Sequence, residues 1–285
     1  MESATTRAAA AGTVRLGEVE VHRMGFGAMR LTGRDIWGPP ADRAEAHRVL
    51  RTAVHELGVR FIDTADAYGP FVDEELIAEA LHPYPDDLVI GTKGGIVRPG
   101  PGEWQENGRP EHLRQALDGS LGRLRLERID VYQLHAPDPA VPLEDSLGEL
   151  ARLRGEGKIR HIGVSNFDVG QLERALEVTP FVSVQNRYNV HERAQEPVVE
   201  WCTERGVAFL SWRPVAAGKL KADEALDAAA RRAGATPMQI ALAWLLHRSP
   251  VMLPIPGTSS IDHLRENVAA GAIELTEEDL EALGR

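Results

Sequence analysis

The sequence predicts an α/β fold, a closed (β/α)8 barrel of the TIM type with a short N-terminal β-hairpin and extra C-terminal helices. Three observations carry this. Eight short apolar runs alternate with helix-patterned stretches between Met24 and Ile255, which implies parallel strands joined by right-handed crossovers. The length, 285 residues, suits one such barrel. The competing doubly wound sheet carries a glycine-rich dinucleotide loop after its first strand, and Gly25-Phe-Gly27-Ala-Met-Arg30 lacks the third glycine.

In chain order, 1–12 is Ala- and Thr-rich, has no apolar signal core and reads as a disordered, frayed tail. Residues 14–21 read as a hairpin turning near Gly17 and Glu18, placed to plug the bottom of the barrel. The first strand, 24–27, runs into a loop over 28–40. Asp42 is an N-cap for the first helix, and Gly58 ends it. Strand 61–63 precedes helix 73–81; strand 88–93 precedes a long Gly/Pro loop, 94–110, and helix 111–124. Strand 129–134 precedes helix 143–154, closed by Gly155; strand 161–164 precedes helix 169–176. Strand 182–184 precedes helix 193–205, closed by Gly206. After strand 207–210 the chain is helical over 222–248, with a break near Gly234 to Pro237. Strand 252–255 and helices 261–269 and 277–283 finish it. With no repeat and no linker visible, 1–285 reads as one domain.

Apolar residues make up 43%, enough for a sizeable core, and the net charge of -11 argues against a nucleic-acid partner bound through a basic face. Cys202 is the only cysteine, so no intrachain disulfide is available and nothing points to an oxidising compartment. No apolar run reaches the roughly 18 residues of a membrane span. The expected setting is the cytoplasm, with no membrane partner.

In a barrel, chemistry collects at the C-terminal strand ends. Here those ends are polar or aromatic at almost every strand: Asp63 and Tyr68, Lys93, His135, Ser165 and Asn166, Gln185, Trp212, and the run from Gly257 to Ser260. A free phenol, with a pKa of about 10, is a poor proton donor-acceptor near neutrality unless a positive charge stabilises the phenolate. Lys93 supplies such a charge, and Asp63 can hold Lys93 by an ion pair. His135 either hydrogen-bonds a substrate carbonyl or shuttles a proton to Tyr68. Singly, Lys93 reads as well as a structural ion pair, His135 as a strand cap and Trp212 as core. Together the four types suit protonation of a carbonyl oxygen while a hydride arrives at carbon. The run after strand 252–255 opens a helix with free backbone N–H groups, a geometry that takes phosphate. With Trp212 as a stacking platform and Ser165, Asn166 and Gln185 as amide partners, these features describe a nicotinamide nucleotide.

The motifs Phe-Ile-Asp-Thr-Ala-Asp-Ala-Tyr-Gly (61–69), Thr-Lys (92–93), Leu-His (134–135), Gly-Val-Ser-Asn-Phe (163–167), Val-Gln-Asn-Arg-Tyr-Asn (184–189) and Ile-Pro-Gly-Thr-Ser…Glu-Asn (255–267) resemble the aldo-keto reductase superfamily over about 14–283. The resemblance implies an oxidoreductase that reduces a small-molecule carbonyl with NADPH (NADP+ in reverse), bound in an extended pose, with NADH the lesser cofactor. It places a catalytic tetrad on Asp63, Tyr68, Lys93 and His135, and cofactor contacts on Ser165, Asn166, Gln185 and Trp212. By the same pattern the contacts extend to Gly27, Ala28 and Met29, to Arg213, Pro214 and Gly218, and to Gly257, Thr258, Ser259, His263, Glu266 and Asn267. Gly257 and His263 stand where many members carry Lys and Arg. A bacterial branch that shares Ile-Pro-Gly-Thr-Ser-Ser still uses NADPH. The resemblance implies a monomer, and a pocket open on one side, with Trp37 and Trp104 as walls. Short bacterial members, among them a pyridoxal reductase, share Thr-Pro-Met-Gln-Ile-Ala-Leu-Ala-Trp-Leu-Leu (236–246), which makes pyridoxal one candidate aldehyde. Two other readings are a cofactor-binding redox sensor with little turnover and a metal-dependent hydrolase. The complete tetrad argues against the first, and the spacing of the ten histidines against the second.

Overall fold

β1 (Thr13–Leu16) and β2 (Val19–His22) pair antiparallel across the turn at Gly17, as the alternating pattern predicts. They belong to a computed structural model that describes residues 7–218, 220, 221 and 223–284. The hairpin covers the end of the barrel where the strands start. Glu18 pairs with Arg160 at 2.7 Å and with His161 at 2.8 Å, and Arg23 donates to the carbonyl of Met252 at 3.1 Å.

The expected frayed tail is corrected for 7–12; residues 1–6 lie outside the described residues. Ala8–Ala11 form a short 3-10 helix, with Ala8 fully buried and its N–H donating to Leu57 O at 2.8 Å. Small side chains allow this close packing, and a composition argument does not see it.

The barrel then follows in sequence order. It runs β3 (Phe26–Gly27), α1 (Arg43–Arg51), β4 (Phe61–Asp63), α2 (Val72–Leu81) and β5 (Val89–Gly94). Within the long Gly/Pro loop lies an unforeseen antiparallel ribbon, β6 (Ile96–Val97) with β7 (Gln105–Glu106). Next come α3 (Pro110–Leu124), β8 (Ile129–Leu134), α4 (Leu143–Gly155), β9 (Ile159–Ser165) and α5 (Val169–Val178). β10 (Ser183–Arg187), α6 (Glu196–Arg205), β11 (Ala208–Trp212), α7 (Glu224–Ala233), α8 (Pro237–Arg248) and β12 (Met252–Pro254) complete the wall, and α9 (Ile261–Ala269) and α10 (Glu277–Ala282) follow.

The eight barrel strands are parallel neighbours in chain order. β5 is buried throughout, which is why these strands read as continuous apolar runs rather than as alternations. β12 and β3 meet through Gly25 N to Pro254 O at 3.0 Å and Gly27 N to Pro256 O at 3.3 Å. Glycine is required at this join. A Cβ on Gly27 would stand 2.7 Å from Ile255 O, and one on Gly257 would stand 2.4 Å from Gly27 O.

Helix starts obey the sequence signals. The Asp42 side chain accepts from Glu45 N at 2.8 Å, a cap worth about 1 kcal/mol. Asp168 with Gln171, and Thr236 with Gln239, form reciprocal capping boxes. One stop signal is corrected. Gly155 lies inside the last turn of α4, and Gly157, at φ 81°, takes the left-handed position instead. β9, β10 and β11 also run beyond their apolar cores, taking in Ser165, Arg187 and Trp212. Backbone pairing sets a strand's length, so polar side chains at the mouth still belong to the ladder.

Candidate active site

Asp63 closes β4, and β5 lies beside it with Lys93 near its end. The Lys93 ammonium is fully buried and donates to Asp63 Oδ2 at 2.6 Å, to Thr64 O at 2.9 Å and to the Tyr68 hydroxyl at 3.4 Å. Its three protons therefore all have acceptors. Asp63 Oδ1 accepts from Gln185 Nε2 at 2.7 Å and from Gln133 Nε2 at 3.2 Å. Gln133 was not foreseen; the one signal is an amide inside the apolar run of β8. Tyr68 packs edge-on against the rings of His135 at 5.8 Å and Trp104 at 6.4 Å.

Burial dominates the electrostatics. It pushes the Tyr68 phenol up to about 12 against the downward pull of Lys93. This reverses the sequence expectation that Lys93 leaves the phenol with a lowered pKa, because the desolvation cost of a phenolate here is the larger effect. Burial also acts to lower the Lys93 pKa, but Asp63 and Tyr68 more than offset it and hold the ammonium above its ordinary range. His135 is held well below the usual imidazole value by burial and by Lys93. It is therefore neutral near pH 7, and its Nδ1 is buried without a hydrogen-bond partner among the described residues. The arrangement can hold a proton on Tyr68 and offer a neutral imidazole beside it.

Behind Tyr68, Asp73 accepts from the Thr64 hydroxyl at 2.7 Å and is fully buried. Burial raises its pKa from 3.8 to about 8. The folded protein thus keeps a proton that the unfolded chain releases above about pH 4. That stabilising contribution is whole below the unfolded value and is lost as pH rises through the folded one. Asp73→Asn is expected to raise stability at pH 8 by on the order of a few kcal/mol, with little change at pH 4. Urea midpoints at the two pH values check this, and an unchanged pH dependence refutes it.

A cavity of about 410 Å3 opens over this group. Asp63, Tyr68 and His135 line it, as do Ser165, Asn166, Gln185, Trp212, Arg213, Pro214, Gly27, Met29, Gly257 and Trp104. Asn166 sits at φ 63°, with its amide nitrogen donating to His135 O at 3.0 Å and its amide oxygen accepting from Trp212 Nε1 at 3.2 Å. The Ser165 hydroxyl donates to Gln185 O at 2.8 Å. Lys93 reaches the mouth through Tyr68 rather than lining the cavity itself.

The remaining sequence candidates lie off the cavity wall. Ala28 is buried in the 3-10 turn Ala28–Leu31, and Gly218 is exposed. The Thr258 hydroxyl accepts from Ser260 N at 3.1 Å, while Ser259 and His263 are exposed at the start of α9. Glu266 ties α9 to α8 by accepting from the Thr236 hydroxyl at 2.5 Å, and Asn267 is buried. Trp37 forms a backbone bridge with Gly69. Four wall residues were not among the sequence candidates, Arg30, Ile36, Val215 and Ile255. Arg30 follows the Gly-Phe-Gly segment, and its signal was a cation in a loop leaving the first strand. Among the described residues no three His, Cys, Asp or Glu side chains converge as metal ligands do, and no helix is long and apolar enough to cross a membrane.

Comparison with known proteins places this geometry. The model of the aldo/keto reductase family matches residues 23–285. An uncharacterized oxidoreductase of Schizosaccharomyces pombe is 49% identical over 277 residues, covering 97% of this chain and 90% of its own. Pyridoxine 4-dehydrogenase of Escherichia coli is 42% identical over 278 residues, covering 95% and 96%. The crystal structure of an aldo-keto reductase from Klebsiella pneumoniae in complex with NADPH superposes with a TM-score of 0.80 at 30% identity, covering 95% and 93%.

Proposed function

Because the chain belongs to the aldo/keto reductase family, we propose that it reduces a small aldehyde or ketone to the alcohol with NADPH, Tyr68 acting as the proton donor within a single barrel domain. The supporting observation is the buried Lys93 ammonium at 2.6 Å from Asp63 and 3.4 Å from the Tyr68 hydroxyl, with neutral His135 beside the same ring. The residues fit NADPH. Trp212 presents a half-buried indole to the cavity, while Arg30 and Arg213 line it and join no ion pair among the described residues. In a chain of net charge -11, two cations at one mouth with no described ion pair suit a polyphosphate.

When bound, NADPH supplies the hydride. Ser165, Asn166 and Gln185 would hold its carboxamide, and Trp212 would lie against its ring. Arg213, with the backbone from Gly257 to Ser259, would face its phosphates, and Gly27 and Met29 would border it. His135 orients the substrate carbonyl. The Tyr68 hydroxyl gives its proton to the developing alkoxide, and Lys93 stabilises the phenolate left behind. The 42% identity to a pyridoxine 4-dehydrogenase supports pyridoxal as one candidate substrate.

The experiment is NADPH consumption by purified protein over an aldehyde panel that includes pyridoxal, followed across pH. A phenol pushed up to about 12 keeps its proton through neutrality. Reduction is therefore expected to hold through neutrality and to decline only on the far alkaline side, while oxidation of the alcohol rises with pH. No turnover of any aldehyde despite NADPH binding would sink the reductase reading.

A further inference from the structure

Arg98 follows β6 directly, and only 9% of it is exposed. A buried cation is costly unless paired or fully hydrogen-bonded. Its described acceptors are all main-chain carbonyls. Nε donates to Glu103 O at 2.7 Å, Nη1 to Ile36 O at 3.0 Å and to Ala67 O at 3.2 Å, and Nη2 to Asp35 O at 3.3 Å. The guanidinium also lies 3.7 Å from the centre of the Trp104 ring and 5.6 Å from that of Trp37.

These contacts have one thing in common. Ile36, Tyr68 and Trp104 all line the cavity, and they come from three separate loops. Arg98 bonds to Ile36 itself, to the residue before Tyr68 and to the residue before Trp104. One planar group thus sets the relative position of three walls. Trp104 is 40% exposed, yet its indole is stacked on Arg98 and stands at 72° to the Tyr68 ring. A lysine has no flat face and three donors on one nitrogen, so it cannot reproduce this set of contacts.

We propose that Arg98 is a positioning residue for substrate recognition, holding the Trp104 indole beside Tyr68 so that the pocket takes flat aromatic aldehydes in preference to aliphatic ones. The inference rests on the reductase reading above. A ring packed against the indole gains area and offset stacking that a short alkyl chain does not. With the indole fixed, the carbonyl oxygen of an aldehyde on that ring is delivered to the Tyr68 hydroxyl at low entropic cost.

The test compares benzaldehyde with propanal, each with NADPH, in the wild type, Arg98→Lys, Trp104→Leu and Trp104→Phe. In Arg98→Lys and Trp104→Leu the KM for benzaldehyde is expected to rise about tenfold or more, and the benzaldehyde-to-propanal ratio of kcat/KM to fall by a similar factor. The KM for NADPH is expected to stay unchanged, and Trp104→Phe to keep most of the ratio. A purely structural Arg98 would lower both aldehydes together, and an unchanged ratio overturns the proposal. Where Arg98→Lys does not fold, Trp104→Leu decides on the same criterion. Should the wild type reduce neither these two nor any other aldehyde of the panel, the reductase reading falls. Quenching of tryptophan fluorescence by benzyl alcohol then still tests the clamp. Weaker binding in Trp104→Leu supports it, and equal affinity overturns it.

Discussion

Tyr68→Phe is expected to lower carbonyl reduction by about a hundredfold to ten-thousandfold while NADPH binding is retained. The substitution removes one oxygen and little else. The ring keeps its edge contacts with His135 and Trp104, and the hydroxyl's one described hydrogen bond is the 3.4 Å contact from Lys93. Fold stability is therefore expected to change little. What is lost is the proton that burial keeps on the phenol through neutral pH. Single-turnover NADPH oxidation measures the chemical step, and fluorescence titration of NADPH measures binding. Full activity in the variant would remove Tyr68 from the mechanism, and equal loss of binding would make it a cofactor residue instead.

Lys93→Met is expected to strike both activity and stability. Lys93 and Asp63 are a buried pair at 0% and 4% side-chain exposure. Removing the ammonium leaves Asp63 a buried carboxylate with only the two amides of Gln133 and Gln185 as described donors. Breaking a buried pair from one side costs about 3–5 kcal/mol. The double variant Lys93→Met with Asp63→Asn removes the stranded charge as well. It is expected to recover much of the stability and none of the reductase activity, since the group that stabilises the phenolate is still missing. Urea unfolding beside steady-state kinetics separates the two effects. A double variant as unstable as the single would mean that the pair's electrostatics do not govern stability here.

Asp63, Tyr68, Lys93 and His135 were legible in the sequence for one reason. Each interrupts or follows an apolar run at a place where the chain must leave the barrel wall, and topology then brings those ends together. Gln133 was hidden because it lies within such a run, where the pleat alone decides which side chain faces the centre. Arg98 was hidden because its acceptors at Ile36, Ala67 and Asp35 lie 62, 31 and 63 residues away. No local pattern records contacts of that kind. The phenol's high pKa was missed for the same underlying cause. The charge of Lys93 can be read from the sequence, whereas the depth at which Tyr68 is buried depends on loops that fold over it. Residues 7–12 show the converse, since alanines carry no periodic signal and yet pack where a larger residue would not.

The join between β3 and β12 also bears on how this protein could be re-engineered or could diverge. The main chain of Gly27 occupies the space where a side chain at 257 would go, Ile255 O occupies the space of one at 27, and the stem of Arg30 lies over Gly257. A lysine imported at position 257 would meet the main chain of Gly27 before its ammonium reached any ligand. That mutational path is closed to single steps: the backbone on one side must shift first. New cationic contacts to a nucleotide are more accessible from the flanking loops, where Arg30 and Arg213 already stand at the cavity. The geometry of a strand junction thus channels which substitutions can alter cofactor choice.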